Sequence, residues 1–129
     1  MQQDLLSPGV IKAATISDCT RYRYELRRVW DANQRLLVVC MLNPSTADAE
    51  KDDPTIRELT YFAKLWGYGG LLIVNLYAFR ASQPREMMAQ DGNIIVGPKN
   101  GEFIEAAFTF ARHQNTRILA AWGERRRFR

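Results

Sequence analysis

Histidine occurs once in this chain and cysteine twice, and no apolar run approaches the roughly 18 residues that cross a bilayer. Each scarcity excludes something. A lone His113 with no Cys-x-x-Cys argues against a zinc centre, so no metal or other cofactor is expected. Cys19 and Cys40 cannot make a disulfide framework, and Cys40, inside an apolar run, reads as a small buried thiol. Gly67–Gly70, "GYGG", precedes a strand and not a helix, so it fails as a nucleotide-phosphate fingerprint. The start, "MQQDLLSPG", has neither a positive n-region nor an apolar h-region. A cytoplasmic protein with no membrane partner is the expectation. There is no internal repeat and no low-complexity linker.

What is present is enough for one α/β domain of 129 residues, with 47% hydrophobic residues to build a core. The net charge is +4, with arginines gathered at Arg21–Arg35 and again at Arg117–Arg129. That balance leans toward polyanionic partners, although each cluster taken alone also reads as a solvated face.

"RYRYELRRVW", Arg21 to Trp30, alternates with Tyr22, Tyr24 and Leu26 on one side and arginines largely on the other. "RLLVVCML", Arg35 to Leu42, is a continuous apolar strand, and the two segments are expected to form a hairpin. Asp53-Pro54 reads as an N-cap followed by proline at the first helical position, with Ile56, Leu59, Ala63 and Trp66 on one face. Leu71–Tyr77 reads as a second buried strand, Ser82–Gln90 as a short helix, the segment around Phe103–Ala111 as a longer one, and Arg117–Gly123 as a third strand. Buried strands alternating with helices predict a mainly parallel sheet between helical layers. Ligands then belong beyond the carboxyl ends of the strands. The loops 43–53, 78–84 and the one after Trp122-Gly123 would meet there.

Asn43-Pro44-Ser45 is the first candidate. Pro44 stiffens the loop and biases Asn43 toward an extended backbone. Asn43 then either closes a turn or aims its amide at a water. Of the nearby Asp48, Asp52 and Asp53, one is positioned to act as a base or take a metal, while Asp53 reads first as a helix cap. Asn75 ends an apolar strand, where an unpaired amide costs about 1–3 kcal/mol. Its planar donor–acceptor set suits the edge of a nucleobase, and Tyr77 or Phe79 could stack on a ring.

"MLNPSTADAEKDDPT", "FAKLWGYGGLLIVNLYAFRAS" and "AAWG" resemble, in order, the bacterial and phage family catalogued as domain of unknown function 1643. A fainter resemblance is to the uracil-DNA glycosylase superfamily. It implies a three-layer sandwich around a short mainly parallel sheet. Asn43-Pro44 matches the loop that orients the attacking water, with Asp48 assisting. Asn75 matches the residue that reads the base. Pro44, Ser45, Tyr77, Phe79 and Arg80 would complete the binding surface, with Trp122-Gly123 matching the Trp-Gly that ends an apolar strand. The superfamily's later His-Pro loop has no counterpart before the final "ERRRFR". Its absence implies a missing C-terminal strand, weakened or lost catalysis, and a free edge at "RILAAW" open to self-association. The resemblance implies a nucleobase-binding or hydrolysing domain with DNA, a nucleobase or a nucleotide as partner. The alternatives are a non-catalytic nucleic-acid binding module and a phage-type protein-interaction partner.

Overall fold

The computed structural model describes residues 10–80 and 91–121. Within them the order is β1 (Ile11–Ile16), β2 (Arg23–Val29), β3 (Leu36–Met41), α1 (Pro54–Leu65), β4 (Gly70–Asn75), α2 (Gly92–Val96), α3 (Asn100–His113) and β5 (Ile118–Ala121). The strands form one sheet in the order β1-β2-β4-β3-β5. β4, β3 and β5 are parallel, and β2 and β1 add to the β4 side antiparallel.

β3 and β4 are buried along their whole length because both faces are covered. Leu37, Val39, Met41, Leu71 and Ile73 pack with Ile56 and Ala63 of α1. On the other face Leu36, Val38, Cys40, Leu72 and Val74 pack with Ala107 and Ala111 of α3. The result is the expected three-layer α/β arrangement. The winding reverses at β3: α1 carries the chain from β3 to β4 on one side, and α3 returns it past β3 to β5. Such a reversal favours a crevice between β3 and β5, outside the carboxyl ends of the strands and next to the rim where β3 and β4 end.

The N-terminal hairpin joins β1 to β2, so the expected pairing of Arg21–Trp30 with Arg35–Leu42 does not form. The far edge of β2 pairs with β4. Gly69 and Gly70 permit this approach, since a Cβ at either position would strike the carbonyls of Asp31 and Arg28. Trp30 and Asp31 then both donate their backbone N–H to the Gly69 carbonyl (2.9 and 3.0 Å).

The arginines of β2 also depart from expectation. The register slips opposite Thr15 and Ile16, which face Glu25 and Arg23, so Tyr24 is an extra residue in the strand. Arg23 and Arg28 are consequently both buried and both reach the 42–53 loop, with Leu26 in the core between them.

Asp53 caps α1 as predicted, its carboxylate accepting from the Ile56 N–H (2.9 Å) with Pro54 at the first turn. The helix stops at Gly67, whose φ of +87° suits glycine. Trp66, expected in the core, is the C-cap and is 54% exposed, because the cap lies beyond the buried face. The helix expected over Ser82–Gln90 lies outside the described residues. β5 has β3 as its one neighbour among the described residues, and no helix there is long and apolar enough to cross a membrane.

Candidate functional site

The carboxyl ends of β3 and β4 leave the sheet side by side. Leu76 N–H donates to the Met41 carbonyl and Tyr77 N–H to the Leu42 carbonyl, both at 2.9 Å. This brings the Asn43 loop and the Asn75–Arg80 segment to one rim. β2 is antiparallel, so its first residue, Arg23, starts at the same rim, and its N–H donates to the Ala78 carbonyl (3.0 Å).

Asn75 is fully buried. Its Nδ2 donates to the Arg23 carbonyl (3.2 Å), and its Oδ1 has no partner. Because a carbonyl faces the nitrogen, the orientation of this amide is fixed by chemistry. The backbone carbonyls of Asn75 and Leu76 are held by Nδ2 of Asn100, at 2.8 and 3.1 Å. Asn100, the first residue of α3, is also fully buried and also has an idle Oδ1.

Asn43 is half-buried and its Nδ2 donates to the adjoining Pro44 carbonyl (3.3 Å). Pro44 is buried, and Oγ of Ser45 is buried without a hydrogen bond of proper geometry.

The three aspartates of the loop diverge. Asp48 accepts the N–H groups of Lys51 (2.7 Å) and Glu50 (2.9 Å) on one oxygen. Those two bonds, with Arg80 and Lys51 nearby, hold its carboxyl below the ordinary carboxylate range. Asp52 pairs with Arg28 (2.8 Å) and Lys12 (3.5 Å). Asp53 accepts from Ala47 N–H (3.0 Å) and Thr46 Oγ1 (3.3 Å) besides capping α1. Burial works to raise Asp53, but the Ser45 hydroxyl close by and the Ile56, Ala47 and Thr46 N–H groups hold it low. Among the described residues no group of three His, Cys, Asp or Glu side chains gathers as metal ligands.

Arg23 is the residue that the sequence did not single out. Its Nη1 donates to the Ala47 carbonyl (3.0 Å), while Nε and Nη2 have no partner. Burial, assisted by the fields of Arg80 and Arg28 and opposed by Asp53, lowers its pKa to about 10. In the alternating segment it read as one of several outward arginines, and only the slip at Tyr24 turns it inward. Arg80 is half-buried and its Nη1 donates to the Thr20 carbonyl (3.3 Å).

Of the aromatic candidates, Phe79 lies edge-on to Tyr22, with ring centroids 6.2 Å apart at 71°. Tyr22, Tyr24 and Phe103 form a face-to-face series (5.8 and 5.2 Å) that walls a cleft of about 520 Å³ beside the start of α3. Tyr77 is half-buried. Trp122 and Gly123 lie outside the described residues.

The molecule is thus a three-layer α/β domain with idle buried polar groups at the carboxyl ends of its parallel strands. It belongs to a family whose description is "protein of unknown function (DUF1643)"; the family model matches residues 23–129, most of the chain. No curated protein and no solved structure matches it.

Proposed function

We propose that the rim formed by the ends of β3 and β4 binds a nucleobase, in an arrangement like that of the uracil-DNA glycosylases. The observation that carries this reading is Asn75. Its Oδ1 is buried, fixed in direction and unpartnered. Such a group costs about 1–3 kcal/mol if left unmet, so a ring N–H reaching it gains what the unpaired oxygen forgoes. An imide N–H, as in uracil, matches an acceptor, and the second N–H of the same amide supplies a donor for the neighbouring ring carbonyl.

The geometry supports binding better than turnover. Asn43 has its Nδ2 tied to its own loop, and Asp48 is kept ionised by backbone N–H groups, which makes it a weak base at neutral pH. A water positioned between Asn43 and Asp48 remains the hydrolytic route that the motif resemblance suggests. The test is titration of the protein with deoxyuridine, followed through the side-chain amide resonances. The Asn75 amide should shift saturably, and Asn75→Ala should weaken binding about tenfold or more. An Asn75 amide indifferent to every base would overturn the proposal. Incubation with uracil-containing single-stranded DNA then separates the two forms of the reading, since release of free uracil above a buffer blank requires the hydrolytic step.

A further inference from the structure

We propose that the Nε–Nη2 edge of Arg23 is a binding site for a phosphate group, with Arg80 as the more exposed cation beside it. Arg23 is fully buried, yet the edge of its guanidinium that can grip two oxygens of one oxyanion has no hydrogen-bond partner. A buried guanidinium is costly, and Asp53, whose field partly offsets that cost, makes no hydrogen bond or ion pair with it. Asp53 commits its oxygens to Ile56, Ala47 and Thr46, Asp52 to Arg28 and Lys12, and Asp48 to its own turn. Arg23 and Arg80 form no ion pair with any carboxylate among the described residues. One anion placed here satisfies two idle N–H groups and neutralises two cations together.

The choice of phosphate rests on the nucleobase reading: the Asn75 amide donates to the Arg23 carbonyl, so the base reader and the oxyanion fork belong to adjoining groups. A ligand that engages both is a nucleotide and not a free base. The source is a terminal phosphate of a mononucleotide or a diester of a strand, and the two are separable.

The experiment follows the Arg23 Nε–Hε resonance of the unmodified chain, assigned through bonds, during titration with sodium phosphate, sodium acetate and deoxyuridine 5′-monophosphate. A saturable shift with phosphate is expected, with the mononucleotide binding at least tenfold more tightly than phosphate. Arg23→Lys, which keeps the charge and loses the fork, should weaken mononucleotide binding about ten- to a hundredfold. Arg80→Ala should weaken it by a smaller factor. Competition by an oligonucleotide without terminal phosphates supports the site with a diester as its source, and failure to compete supports it with a monoester. No response of Arg23 to any phosphate overturns the inference, as does an acetate shift equal to that of phosphate. The two proposals fail separately. Deoxyuridine moving Asn75 while Arg23 ignores phosphate sinks this one alone, and the reverse pattern sinks only the nucleobase reading.

Discussion

Arg28 and Arg23 stand on the same strand, are equally buried and reach the same loop, yet they live in opposite conditions. Arg28 donates to Asp52 (2.8 Å) and to the carbonyls of Arg27 (2.9 Å), Asp48 (2.6 Å) and Lys51 (3.4 Å). Its charge is met and its donors are used. The Arg23 side chain has one hydrogen bond, to Ala47, and an idle fork. The contrast separates a residue that holds the loop in shape from one that the loop leaves available. Burial alone does not distinguish them, and the count of satisfied donors does.

The sharpest way to break this contrast is a pair of methionine substitutions. Arg28→Met leaves Asp52 with Lys12 alone and takes the donor from the carbonyls of Arg27, Asp48 and Lys51, and should cost about 2–3 kcal/mol in chemical denaturation. Arg23→Met removes a buried charge that has no ion pair among the described residues, and its unfolding free energy should change by less than about 1 kcal/mol or rise. Equal losses in the two variants would mean that Arg23 is as structural as Arg28.

Asn100→Ala tests the support beneath Asn75. The carbonyls of Asn75 and Leu76 lose their donor, and denaturation should show a loss of about 2 kcal/mol. Asp53→Ala should cost about 1 kcal/mol through the cap of α1. Asp53 also carries a pH signature. Its folded pKa lies below the ordinary 3.8, so its contribution is present above that value and lost as pH falls through the folded one. The acid limb of the stability curve should flatten in Asp53→Asn. The smallest effect is expected for Asp48→Asn, where the amide oxygen can still accept the N–H groups of Lys51 and Glu50. The denaturation midpoint should not move measurably, whereas any base-releasing activity that depends on the carboxylate would disappear.

Much of the architecture was legible because the apolar pattern is strong. Arg35–Leu42 and Leu71–Tyr77 read as buried strands, which the structure places at Leu36–Met41 and Gly70–Asn75, and the Asp53-Pro54 start of α1 carries its own signal. The pairing of β2 was not legible. A short link between two strands suggests a hairpin, but the partner was set by two glycines far along the chain that let β2 lie against β4. The rim itself was visible in Asn43 and Asn75, since strand ends and a proline-stiffened loop mark it. Arg23 was hidden because strict alternation places it outward, and no local signal marks the extra residue at Tyr24. Asn100 was hidden for a related reason: one asparagine at a helix start gives no hint of the strand end that it reaches.

The central claim is that Asn75 Oδ1 awaits a ring N–H, and a crystal soaked with uracil tests it most directly. The account predicts a planar density with a ring nitrogen within hydrogen-bonding distance of Oδ1, absent from the unsoaked crystal. The same protein group or ordered water on Oδ1 in both crystals, with no ring beside it, would contradict the account.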